Sequence, residues 1–156
     1  MDWKSIYKSI YFRDGSLRDI LILNTNSTDW RKWIDFINQN YIVEFVDRRT
    51  NEKNNKIDFA KVKEYWKKIN QEGVYASIMI DGIKLMTYFN SENNIENDFW
   101  PNDINTIEDH NNLINYLIKV SILLNKPVRV TSEMNEEDIL INVLNEKAQI
   151  MKPGKS

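Results

Sequence analysis

Apolar positions along this chain recur with two periods, near 2 and near 3.6 residues, and the changes of period mark its predicted elements. Tyr7 to Arg13 and Leu17 to Thr25 are rich in β-formers and meet at Asp14-Gly15, a dipeptide suited to a tight turn, so they predict a first hairpin. The run Leu17-Arg18-Asp19-Ile20-Leu21-Ile22-Leu23 becomes continuously apolar, as expected of a central strand covered on both faces with a neighbour on each side. After the N-cap candidates Asn26 to Asp29, the residues Trp30, Trp33, Ile34 and Ile37 share one stripe and predict a helix from Asp29 to Gln39. Tyr41 to Val46 reads as a strand, and the polar run Arg48 to Lys56 reads as a loop. Asp58 caps a second helix with the stripe Phe59, Val62, Trp66 and Ile69.

Further along, Tyr75 to Ile80 and Ile83 to Phe89 flank Asp81-Gly82 and predict a second hairpin in which Ile80 faces Ile83 and Ile78 faces Leu85. Ser91 to Asn105 reads as a long polar loop with Phe99-Trp100-Pro101 in its middle. Thr106-Ile107-Glu108-Asp109 resembles a capping box for a third helix, whose inner stripe is Leu113, Ile114, Leu117, Ile118, Ser121 and Leu124. Asn125-Lys126-Pro127 stops that helix. Val128 to Thr131 is a short strand, and Asp138 to Leu144 fits strand or helix, with strand favoured by the alternation of Ile139, Ile141 and Val143. The expectation is one α+β domain over residues 1–151 with a disordered tail at 152–156. Its sheet is mixed or mainly antiparallel, built from two hairpins, with about three packed helices.

Composition narrows the function classes. The chain of 156 residues is 42% hydrophobic, enough for one core of ordinary size. It has no cysteine, which excludes disulfides, thiolate nucleophiles and Cys-ligated zinc. Only four Gly occur, and neither a Walker pattern nor GxGxxG can be written, so those routes to nucleotide binding and their cofactors are closed. No segment approaches eighteen consecutive apolar residues and Met1 to Ser5 contains no apolar core, so the expectation is a cytoplasmic protein without a membrane span.

The candidate chemistry is sparse. His110 is the single histidine, and it sits one turn before Leu113 and Ile114, as a helix histidine at the edge of the core would. No nucleophile, base and metal-ligand set can be assembled around it, so no catalytic residue, metal site or cofactor is expected. Glu92, Glu96, Asp98 and Asp103 lack EF-hand spacing and read as a solvated acidic loop. Trp30, Trp33 and Trp66 fall on helix stripes and belong to a core. Trp100 lies with Phe99 in the polar loop, where an aromatic pair either pins the loop or anchors a partner.

Charge is unevenly distributed behind the net value of −2. From Leu85 to Ile118 there is no Lys or Arg, against Glu92, Glu96, Asp98, Asp103, Glu108 and Asp109. Arg48 to Lys68 is the reverse, with eight basic residues against Glu52, Asp58 and Glu64. Such blocks are commonly solvated faces, whereas an acidic block with a function steers a basic partner. The basic block argues little for nucleic acid in a chain with a pI near 5.5.

Four stretches carry a family resemblance: Phe12 to Ile20, Thr28-Asp29-Trp30, Ile95 to Ile104, and Leu124 to Glu133. Together, over about residues 10 to 134, the chain resembles the small immunity proteins of bacterial polymorphic toxin systems. That resemblance implies a non-enzymatic inhibitor of one cognate toxin domain, and a basic nuclease surface would suit the acidic aromatic loop. Glu92, Glu96, Asp98, Phe99, Trp100 and Asp103 are the expected partner-binding residues. An enzyme with a site invisible in one sequence, and a nucleic-acid-associated regulatory domain of a mobile element, remain the alternatives.

Overall fold

A computed structural model of the chain describes residues 2–68 and 72–151. Ile69 and the tail at 152–156 lie outside the described residues. The fold is α+β, and the described residues form four α-helices and one nine-stranded antiparallel sheet. The strands are β1 (Arg18–Leu23), β2 (Ile42–Asp47), β3 (Glu52–Asn54), β4 (Val74–Ile80), β5 (Ile83–Thr87), β6 (Asn94–Phe99), β7 (Val128–Ser132), β8 (Asn135–Leu144) and β9 (Lys147–Ile150). They stand in the order β3-β2-β4-β5-β6-β1-β7-β8-β9. The helices are α1 (Trp3–Ile6), α2 (Ser27–Asn40), α3 (Phe59–Lys67) and α4 (Ile107–Leu124).

Several expectations hold. Asp81 and Gly82 take the left-handed conformations of a two-residue turn (φ 48° and 88°), and Ile80↔Ile83 and Ile78↔Leu85 pair across the resulting hairpin. Asn26 and Thr106 cap α2 and α4, each completing a capping box with the Asp three residues on. Asn125, left-handed at φ 52°, ends α4. β1 is central, between β6 and β7, and Asp138 to Leu144 is the later part of β8.

The first hairpin is not formed. Tyr7–Tyr11 is a π-helical turn continuing α1. Trp3, Ile6, Tyr7, Ile10 and Tyr11 fall at i, i+3, i+4, i+7 and i+8, and this helical stripe outweighs the β-propensity of the individual residues. Asp14-Gly15 still turns the chain, leading it out of the helix into β1, with Gly15 at φ 84° and Asp14 Oδ1 accepting from the Ser16 amide and hydroxyl. The supposed loop from Ser91 to Asn105 contains β6, which pairs with β1 along its whole length, and the loop from Arg48 to Lys56 contains β3. β6 escapes notice because its inward position Asn97 is polar; Asn97 Oδ1 accepts from the Tyr116 hydroxyl (3.1 Å), which in turn accepts from Trp33 Nε1 (3.1 Å).

One core occupies one side of the sheet. Ile20 and Ile22 of β1, Ile95 and Phe99 of β6, and Val128 and Val130 of β7 join Trp30, Trp33, Ile34, Val62, Leu113 and Leu117 in a single buried cluster. His110 is buried against it, 2.6 Å from the Tyr11 hydroxyl, and burial lowers its pKa. Strand alternation sends the intervening residues to the opposite face, which no helix among the described residues covers. On that face the positions across the sheet run Met86, Asp98, Asp19, Thr131, and beside them Glu96, Leu21, Arg129, Asn142.

Candidate functional site

The helix-free face carries the most unusual side-chain grouping in the molecule. Asp19 on β1 and Asp98 on β6 are direct cross-strand partners, and Glu96 is opposite Leu21. Like charges placed opposite each other repel, so this register is unfavourable unless something offsets it. Two adjoining hollows, of about 200 and 320 Å³, both include Asp19, Glu96, Asn90 and Met134 in their walls. Asn97, Asp98, Met86, Tyr88, Leu17 and Glu133 complete the first hollow, and Glu136 and Asn135 lie on the second.

The β7–β8 turn builds one wall. Met134 is left-handed (φ 59°) and 86% exposed, and its amide donates to Asp19 Oδ2 (2.9 Å). Glu133 Oε1 accepts from the Leu17 amide (2.6 Å). A positive φ in a long side chain is a strained choice that loops commonly fill with Gly or Asn. Here it leaves an exposed Met134 in the wall of both hollows, beside Asp19.

The hollow leaves its acids short of solvent. Asp98 is pushed up to about 6, first by burial and then by the charges of Asp19, Glu96 and Glu133. Glu96 is raised by burial and then by Asp19 and Glu136. Asp19 is raised by burial and by Glu133, against a lowering from the Met134 amide. Among the described residues, none of Asp19, Glu96, Asp98, Glu133 and Glu136 has an ion-pair partner. The basic block behaves differently, with Arg49 paired to Asp47 and Glu64, Lys61 to Glu52, and Arg48 and Lys63 stacked on Tyr75 and Phe59. Among the described residues, no three His, Asp or Glu side chains converge on a metal position.

Of the residues singled out from sequence, Glu96 and Asp98 are brought together and are joined by Asp19, which sequence reasoning passed over. Phe99 is 1% exposed and packs against Tyr11 with ring centroids 6.5 Å apart, so it serves the core and not a partner. The alternation of β6 sends it inward while Asp98 faces out. Glu92 is exposed and lines neither hollow; its carbonyl accepts from Thr25 and Trp30. Trp100 is 50% exposed and shares a separate depression with Arg13, Gly15, Asn102 and Asp103. Asp103 Oδ2 also accepts from the Lys84 amide (3.1 Å). Its indole is half exposed and lies outside both hollows. Trp100→Ala is expected to change unfolding free energy by no more than about 1 kcal/mol. Denaturant titration checks this, and a loss of roughly 2 kcal/mol or more would show instead that the indole pins the loop to the core.

Compared with protein-family models, with curated proteins and with solved structures, the chain has no match in any of the three. Among the described residues, no helix is long and apolar enough to cross a membrane.

Proposed function

We propose that this chain is a non-catalytic binding protein that neutralises a cognate toxin domain, as an immunity protein does, and that it binds through the helix-free face of its sheet. The observation that carries this reading is the set of carboxylates Asp19, Glu96 and Asp98, held partly buried and side by side, with no counter-ion among the described residues. Groups that burden the isolated fold are typical of sites shaped for something else, and a cationic partner surface would offset them. Met86, Tyr88 and Met134 beside them supply apolar contact area with little polar desolvation to overcome. The non-catalytic part of the reading is supported by His110, the one histidine, which is engaged with Tyr11 in the core.

Co-expression with the toxic product of an adjoining reading frame tests the proposal. Cells carrying both should survive where cells carrying the toxin alone do not, and the two proteins should co-purify in equimolar amounts. Survival without co-purification, or purified protein that itself turns over a substrate, would contradict it.

A further inference from the structure

The helix-free face is larger than its acids. Lys84 stands on it two residues from Met86 along β5, and Arg129 stands on it beyond Leu21 on β7. Among the described residues neither of these cations forms an ion pair, and Arg129 Nε and Asn142 Oδ1 are buried without a hydrogen-bond partner. The face therefore presents an acidic centre formed by β6, β1 and the β7–β8 turn, with single cations to either side. The strands between them are only about 4.8 Å apart, so Glu96 and Arg129, two strands removed, are on the order of 10 Å apart at their backbones. Among the described residues, neither cation pairs with an acid of the centre.

Resting on the reading given above, we propose that the occupant of this face is a basic segment of the partner. It sets one ammonium or guanidinium group among Asp19, Glu96 and Asp98 and lays the alkyl stem on Met86, Tyr88 and Met134. Three features select that chemistry. The carboxylates spread across two strands without converging, which suits an organic cation with several donors better than a chelated ion. The rim is thioether and aromatic, the surface on which Lys and Arg stems pack while their heads reach polar partners. Charge complementarity across the face favours this orientation and disfavours an acidic occupant.

Binding of a cation favours the ionised carboxylates, so occupancy is linked to proton release. Asp98, pushed up to about 6, holds a proton in most molecules at pH 5 and in few at pH 7.5. Glu96, Asp19, Glu133 and Glu136 add to the same field, and Lys84 and Arg129 stand to either side of it. Affinity for a cationic probe should thus fall as the solution is acidified.

The test is calorimetric titration of the full chain with a capped tetralysine peptide at low ionic strength. We expect binding at pH 7.5 that weakens at least about fivefold at pH 5.0. Asp98→Asn should weaken it about tenfold at pH 7.5 with an unchanged circular dichroism spectrum, while Glu108→Gln, on the exposed start of α4, should leave it unchanged. A tetraglutamate peptide should not bind. Absence of tetralysine binding at pH 7.5, or equal losses from Asp98→Asn and Glu108→Gln, overturns the proposal. If tetralysine fails while the neighbouring toxin still co-purifies, the cationic occupant alone is wrong; if both fail, the immunity reading falls with it.

Discussion

Arg18→Met is expected to destabilise the protein by about 3–5 kcal/mol, the largest effect of any single substitution proposed for this chain. The Arg18 side chain is fully buried on the core side of β1. Its Nε donates to the Ile10 carbonyl (2.7 Å), Nη2 to the Phe12 carbonyl (2.7 Å) and Nη1 to the Ser16 hydroxyl (2.8 Å), while the guanidinium lies 4.5 Å over the Phe12 ring. The first two acceptors are carbonyls at the end of the π-helical turn, so one side chain closes a helix terminus and fixes the turn that leads into β1. Methionine matches the stem but leaves those carbonyls without donors. Lysine restores charge but not the planar fork, and Arg18→Lys should fall between the two. For a chain of this length the methionine variant should melt roughly 10 °C lower. A loss under about 1 kcal/mol by urea titration would show that the guanidinium is not the clamp described. Binding should suffer as well, because Leu17 and Asp19 on either side of Arg18 both line the acidic hollow.

The second large effect is a divergence between stability and function. Neutralising the acidic centre by Asp19→Asn, Glu96→Gln and Asp98→Asn together should make the isolated protein more stable at pH 7, by about 1–3 kcal/mol once solvent screening is allowed for. The same triple variant should lose partner affinity by a factor of at least about 100, since paired interfacial charges commonly carry 2–5 kcal/mol. Asparagine at position 19 keeps a side-chain oxygen for the Met134 amide, so the turn should survive. Urea titration and an affinity measurement on one preparation check both halves. A variant that loses both stability and binding would mark these acids as part of the scaffold.

How much of this was legible in the sequence depended on whether the signal was local. The β4–β5 hairpin was readable because Asp81-Gly82 states its turn chemistry and the flanking aliphatics state its register. α2 and α4 were readable from their capping boxes and stripes. The N-terminal segment misled because Tyr, Ile and Phe favour strands, while the stripe that makes it helical begins at Trp3, before the residues read as a strand. β6 was hidden by the low strand propensity of Asn, Asp and Glu, although Ile95, Asn97 and Phe99 do alternate inward. The site was half legible. Glu96 and Asp98 stood out because a long block lacked basic residues, but their companion Asp19 is 77 positions away from Glu96 and meets them only through the β1–β6 register. A signal for it existed, since Asp19 is an acid in an otherwise apolar central strand, which is an expensive place to put one. Met134 carried no such signal, because its position above Asp19 follows from the backbone of the β7–β8 turn.

The acids of the helix-free face stand without a counter-ion among the described residues, and the cost of this is read from the difference in unfolding free energy between Asp98→Asn and wild type, followed from pH 4 to pH 8. Asp98 is raised in the folded state from 3.8 to about 6, so below 3.8 it is protonated whether folded or unfolded and costs nothing. Between those values the unfolded chain gives up the proton first, and wild type loses stability as pH rises; above about 6 the loss is complete. Taking the difference cancels the carboxylates that act in the opposite sense, such as Asp47, held low by Arg49. The account predicts a stabilising effect of Asp98→Asn that is near zero at pH 4, grows through pH 5 and levels off at about 1 kcal/mol or more by pH 7. A variant that is less stable than wild type at pH 7, or a difference that does not change with pH, would contradict it.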